Sequence, residues 1–461
     1  LFSFDISLYS CILQGYIWGN PNDTLNEDSR VKLTSNISYG LDKEEFTSRS
    51  KDGLKGVFSR NRKLNLKNLI VLIMSSASSV QRDLDRFYKS MDKSDFSIRK
   101  VTKGAFTQAR AKLNPEAFKR LNQVAIDTFY EQNLVYTWHG MRTLAVDGTT
   151  LMLPNHQSIK DEFGVHKFGP KADKERSIAR ASVLYDVLNL VAIDSQIDCY
   201  RTSEKELLSK HLEYLKPDDL LLMDRGYPSK ALFFQLMAKG VHFCARMKED
   251  WWLELKAFKK SGKNEDFVSF KLPAKDKNLL SDYPQYQEAT IKCRLLKIVL
   301  ETGETEILCT SLTDFEKYPY DDFQELYHYR WNEEEAYKML KSRVEVENFS
   351  GKTAKAVRQD FYAKMFLLTL CAAYAHPIEE KVRAEYKADD KRKHDQKINR
   401  TSAVAMTRET LIAVFIRKEY KKALEAFDDI VAKTREIIRP KRSMPRPHKP
   451  RKQYPMNYKK L

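Results

Sequence analysis

The sequence has no C-x-x-C pair, and its six cysteines (Cys11, Cys199, Cys244, Cys293, Cys309 and Cys371) are scattered through 461 residues. That spacing excludes a disulfide framework and a cysteine-built zinc site, and fits reduced thiols in a cytosol. A membrane-length apolar run is also missing. "MFLLTLCAAYA" (365–375) falls well short of the ~20 residues that cross a bilayer, and reads as a buried helix. The apolar start "LFSFDISLYSCILQGYIWGN" lacks a basic leader and a small-residue cleavage site, so it is not read as a signal peptide. No G-x-x-x-x-G-K-[ST], G-x-G-x-x-G or nucleophile elbow occurs, which argues against a nucleotide cofactor and against serine hydrolase chemistry. His156 and His166 are paired with nothing at metal-ligand spacing and read as loop residues. No internal repeat is visible.

What is present is positive charge, a formal +17. Residues 51–131 hold 17 Lys and Arg against 8 Asp and Glu, and the last 23 residues, from Arg439, hold nine Lys and Arg and no acid. The excess thus sits at two ends of a nearly neutral middle. A polyanion is the natural partner, nucleic acid before an anionic membrane, for which the sequence offers no supporting hydrophobic anchor.

Hydrophobic residues at 42% and a length of 461 allow two or three domains with real cores. Residues 1–48 are expected to be a weakly structured leader. Residues 49–140 read as a helical DNA-binding domain, with a basic helical bundle that makes no groove contact as the open alternative: Thr102 can cap a short helix ending near Leu113, and Asn114–Pro115 starts the next. Lys103, Gln108, Arg110 and Lys112 are its candidate DNA-facing side chains. Residues 141–248 read as the first part of an α/β core. "MRTLAVDGTTLMLP" is a strand carrying Asp147, "SIARASVLYDVLNLVAIDSQI" a strand pair turning near Asn189, and "DDLLLMDRGYPS" an unbroken aliphatic strand ending at Asp224. Residues 249–312 read as a β-rich insertion, 313–378 as the second part of the core, and 379–461 as a helical region ending in an extended basic tail.

"YHYRWNEEEAYKMLKSRVEVENFSG" (327–351) has a direction. On one helix, Tyr327, Arg330, Glu334, Lys338 and Lys341 fall within an arc of roughly 80°. Glu333 lies about 100° off that stripe, as a surface control. Glu334, Asp147 and Asp224 would be three carboxylates from separate elements, and their convergence would call for hard divalent cations, two of which support phosphoryl transfer. The expected separation is about 4–8 Å, close enough to share two ions. Asp186 and Asp194 are open alternatives on spacing alone.

The order Asp, Asp, Glu with a β insertion before the Glu, "VDGT", "DRGY" and Y-x2-R-x3-E-x6-K followed by "NFSG" resemble the DDE transposases of bacterial insertion sequences. The match is to the large family-four group with its Tyr-Arg-Glu-Lys signature. The resemblance covers roughly residues 100–378. It implies an α/β, RNase H-like catalytic core with a β-strand insertion, flanked by a helical N-terminal DNA-binding region and a helical, basic C-terminal region. It further implies Mg²⁺ or Mn²⁺ in a two-metal site on Asp147, Asp224 and Glu334. A homodimer would hold both transposon ends, in a cytoplasmic protein that acts at the bacterial nucleoid. Cut-and-paste transposition would follow: water attacks first, and the freed 3′ hydroxyl then attacks the opposite strand and finally target DNA. By the same resemblance Tyr327, Arg330 and Lys341 contact phosphates, with Lys338 and Tyr227 beside them, and Trp331 stacks on an extruded base. Trp251 and Trp252 are weaker candidates for stacking. The competing readings are an RNase H-like DNA nuclease and a catalytically inactive, transposase-derived DNA-binding protein.

Overall fold

The computed structural model describes residues 28–438, apart from 52, 60–61, 78, 134, 168–174, 300–304 and 390–391. The basic tail from Arg439 and the first 27 residues lie outside the described residues.

Among the described residues, the expected leader is helical from its twenty-ninth position: α1 (Ser29–Asp42) and α2 (Glu44–Arg49). The expectation of weak structure fails there because Val31, Leu33, Ile37 and Leu41 form an apolar stripe at helical spacing, and it is buried. Next come α3 (Leu66–Ser75), α4 (Val80–Met91), α5 (Lys103–Arg110) and α6 (Glu116–Gln132). Thr102 caps α5, accepting from the Ala105 amide, and the Asn114 side chain accepts from Glu116 at the start of α6.

The centre is an eight-stranded mixed sheet in the order β3-β2-β1-β4-β5-β8-β7-β6. β1 (Thr143–Met152), β2 (Ile178–Asp186) and β3 (Val191–Cys199) are antiparallel, whereas β4 (Leu220–Met223) and β5 (His242–Met247) run parallel to β1. This is the RNase H-like order that the resemblance implies. The β2–β3 turn is tied by Asp186, whose carboxylate accepts from the Leu188 and Asn189 amides.

α7 (Gln157–Phe163) follows β1, α8 (Glu204–His211) precedes β4, and α9 (Lys230–Ala238) joins β4 to β5. The region expected as a β insertion carries α10 (Leu253–Ser261), β6 (Glu265–Lys271), β7 (Thr290–Val299) and β8 (Thr305–Thr310). Its strands continue the central sheet, with β8 pairing antiparallel to β5. That pairing satisfies the backbone groups which the edge of β5 would otherwise expose.

The signature stretch is two helices, α11 (Asp322–Tyr329) and α12 (Trp331–Ser342), meeting at Arg330. α13 (Ala354–Glu385) contains the apolar run 365–375 and packs between α6 and β3. α14 (Arg400–Leu411) and α15 (Tyr420–Lys433) complete the helical C-terminal region. No described helix is long and apolar enough to cross a membrane.

Candidate active site

The parallel pairing of β1 with β4 ends at Val146 opposite Met223. Asp147 and Asp224 are each the next residue, so they stand side by side where the two strands part. Strand spacing of about 4.8 Å places their backbones next to one another. Apolar residues hold both strands inside: residues 144–146 and Leu220–Met223 are fully buried on both faces, and the two acids follow at the carboxyl end of that buried stretch.

Each acid has a distinct setting. Asp147 accepts from the Gly148 amide at 2.8 Å. Burial pushes its carboxyl up to about 6; the Gly148 amide and Arg330 oppose the rise, while Asp224 and Glu204 add to it. Burial would raise Asp224 too, but Arg246, the Arg225 amide and Arg330 hold it below the usual carboxylate range. Arg246, on β5, reaches Asp224 Oδ1 at 2.7 Å and Glu306 of β8 at 2.5 Å. Glu334, on α12, is half-buried and lies 3.3 Å from the Arg330 guanidinium.

Arg330 is the shared counter-ion of the three acids. It is 2% exposed, it interacts electrostatically with Asp224, Asp147 and Glu334, and its Nε has no hydrogen-bond partner. Its guanidinium also lies 5.1 Å from the Trp331 ring and 5.7 Å from that of Tyr327. Tyr327 is buried, and its hydroxyl donates to the Met223 carbonyl at 3.4 Å, one residue before Asp224. The phosphate contacts expected of Tyr327 and Arg330 would require both to move outward. Lys338 is exposed and pairs with Glu335, while Lys341 and Trp331 are half-exposed.

Three expectations are corrected. Tyr227, expected near phosphate, is 1% exposed, because the turn closed by its amide on the Asp224 carbonyl folds the ring inward. Arg110, expected on DNA, is 4% exposed: it pairs with Asp360 at 2.8 Å and donates to Ser350, Gln359 and the Ala356 carbonyl. Lys103, Gln108 and Lys112 remain exposed around it. Arg110 also explains the glycine of "NFSG", since a Cβ on Gly351 would come 2.6 Å from Ala356 Cβ and 3.0 Å from Arg110 Nη1. The third is Glu333, expected as a surface control. It is 1% exposed, and burial and then Asp147 raise its carboxyl well above the usual range, against the opposing pull of Arg330 and the Asp147 amide. Glu333 shares the buried face of α12 with Tyr337 and Leu340, four and seven residues further on.

The alternatives Asp186 and Asp194 lie elsewhere. Asp186 holds the β2–β3 turn and the Tyr130 hydroxyl; Asp194 pairs with His211 and Lys119. His156 caps α7, and His166 pairs through its backbone with Arg176.

Sequence reasoning missed Arg246, Glu204, Glu333 and Tyr337. Glu204 stands at the start of α8 and packs against the aspartate turns. A Cβ on Gly148 would meet its Cγ at 2.8 Å, and one on Gly226 would lie 3.7 Å from its Oε2. A glycine directly after Asp147 was the available signal.

All-oxygen carboxylate donors suit a hard divalent cation. Even so, no three His, Cys, Asp or Glu side chains among the described residues converge closely enough to hold one. Asp224 and Glu334 are turned to Arg246 and Arg330 instead.

Two aspartates at the ends of adjacent parallel strands, with a glutamate on a later helix, stand in the order expected of a DDE-type transposase core. The chain belongs to the transposase DDE domain family, whose model matches residues 138–370, half of its length. It is 23% identical over 323 residues to the transposase InsG for insertion sequence element IS4 of Escherichia coli K12, covering 68% of this chain and 70% of that one. A solved piggyBac transposase synaptic complex with hairpin DNA is similar at a TM-score of 0.43 and 11% identity, covering 87% of this chain and 82% of that one.

Proposed function

We propose that this transposase cuts DNA at the ends of an insertion sequence and joins the freed 3′ hydroxyls to target DNA, in a cut-and-paste reaction that uses Mg²⁺ or Mn²⁺. The observation that carries the reading is the side-by-side placement of Asp147 and Asp224, joined electrostatically to Glu334 through Arg330. Asp147, Asp224 and Glu334 would hold the ions once Asp224 turns from Arg246 and Glu334 from Arg330; the ions when bound activate the attacking oxygen and stabilise the leaving one. Arg246 and Arg330 neutralise the acids in the resting protein. Arg330, released from Glu334 and moved outward, would hold the scissile phosphate through a charge-assisted hydrogen bond.

Double-stranded DNA is the substrate, and a homodimer holds two ends. Exposed Lys103, Gln108 and Lys112 on and just after α5 supply backbone and base contacts, and Lys338 and Lys341 continue them along α12. Trp251, 44% exposed with Lys205 and Lys248 each 5.3 Å from its ring, is a stacking platform flanked by cations. Trp252 packs instead against Phe233 and Phe270.

The test is cleavage of end DNA by the parent and by Asp147→Ala, Asp224→Ala and Glu334→Ala. Each variant should lose metal-dependent cleavage while keeping DNA affinity; exposed Glu335→Ala should keep both. Cleavage surviving Asp224→Ala would overturn the assignment. A parent that binds ends but never cuts them would be a non-catalytic DNA-binding protein, and one that cuts without joining would be a nuclease.

A further inference from the structure

Tyr337 lies three residues after Glu334 on α12, one turn further along the helix. It is 8% exposed, and its hydroxyl reaches into the sheet. There it accepts from the Val183 amide at 3.0 Å and donates to the Asp147 carbonyl at 2.7 Å. Asp147 and Val183 are directly opposite one another in the β1–β2 register. A single side chain on the glutamate helix therefore bridges two strands at the position of the first aspartate.

The same carbonyl is held from a second side. Ser182 Oγ donates to it at 3.1 Å. Ser182 in turn lies 3.1 Å from His211 Nε2, and His211 Nδ1 lies 2.7 Å from Asp194 Oδ2. Lys119 closes this chain at 3.0 Å from Asp194 Oδ1. Ser182, His211 and Asp194 are all at most 2% exposed, so this is a packed support. A buried network in which each member has a partner rigidifies its surroundings.

We propose that Tyr337 is a positioning residue for the reaction, pinning the Glu334 helix to β1 at Asp147, with Ser182, His211 and Asp194 as the backing of that pin. The inference rests on the proposed roles of Asp147 and Glu334. Those two acids come from distant parts of the chain, and Arg330, the cation they share, must leave Glu334 when a phosphate is held. The Tyr337 bridge keeps the helix in place through that exchange. It does so through a backbone atom, and so leaves both carboxylates available.

The experiment compares Tyr337→Phe with Tyr374→Phe in the full chain. Tyr374 also has a buried hydroxyl that the change would remove, paired with Thr34 at 2.9 Å, but it ties α13 to α1. Tyr337→Phe should slow single-turnover cleavage of end DNA by on the order of ten- to a hundredfold, the scale of a small misplacement of reacting groups. Its affinity for the same DNA should stay within about twofold, and backbone hydrogen exchange across Thr143–Met152 should quicken without metal or DNA. Tyr374→Phe should match it in reduced thermal stability and keep the parent's cleavage rate. Cleavage by Tyr337→Phe within about twofold of the parent, or an equal slowing in Tyr374→Phe, would overturn the inference. Asp147→Asn in the same assay separates the two levels: if it still cuts, the carboxylate assignment itself has failed.

Discussion

At the scale of single residues, burial decides which acid carries a proton. The Asp147 carboxyl, pushed up to about 6, binds a proton in the folded chain over a range where the unfolded chain, near 3.8, has released it. The folded state therefore holds more protons across that window, and the contribution of this group to stability falls as pH rises through it. Asp147→Asn removes the buried charge. Relative to the parent, it should melt higher at about pH 8 than at about pH 4, by on the order of a few degrees, in metal-free thermal scans. An equal difference at both pH values would show that Asp147 is ordinary in the folded chain. Arg330→Ala acts on the same charges: it leaves three acids without their common cation, so both cleavage and thermal stability should drop. Glu335→Ala is the surface control, because Glu333 is buried against Asp147.

At the scale of elements, α5 has two kinds of basic residue that composition cannot tell apart. Arg110 fastens the helix to α13 and to the "NFSG" turn, whereas Lys103 faces solvent. Arg110→Ala strands Asp360 in the interior and should cost about 3–5 kcal/mol, read as a lower denaturation midpoint with or without DNA. Lys103→Ala should change stability by less than about 0.5 kcal/mol, yet weaken DNA binding and lessen its salt dependence. The fastening also means that α5 is not on a free hinge: DNA held by its exposed face bears on the loop that follows the Glu334 helix.

At the scale of the whole molecule, the first described helix is part of the frame. Arg30 pairs with Asp28 and with Asp428 of α15, each at 2.5 Å, and Thr34 meets Tyr374 inside. The opposite terminus is an electrostatic matter. The nine Lys and Arg from Arg439 onward have no acid among them. Truncation before Arg439 should lower affinity for all DNA about equally and flatten the salt dependence, by about 0.9 in log–log slope for each phosphate that the tail no longer neutralises. Sequence discrimination, measured by competition with unrelated duplex, should survive. Its disappearance would assign base reading to the tail.

The strands around Asp147 and Asp224 and the helix that carries Glu334 were legible in the sequence because they depend on local periodicity, whereas the fold class followed from the resemblance that the motifs carry. An aliphatic run must be a buried strand, and a capped run with helical spacing must be a helix. Relations between distant residues were not legible. Whether Arg110 meets DNA or Asp360, and whether Glu333 meets water or Asp147, depends on which faces the packed elements turn to one another. Charge has the same symbol in a sequence whether it is solvated or buried. The insertion looked separate because strand patterns do not name their partners; only closure of β8 on β5 made it part of the central sheet. Tyr337 carries no sequence signal at all. Its role arises because packing brings one hydroxyl between a strand amide and the carbonyl of the aspartate opposite.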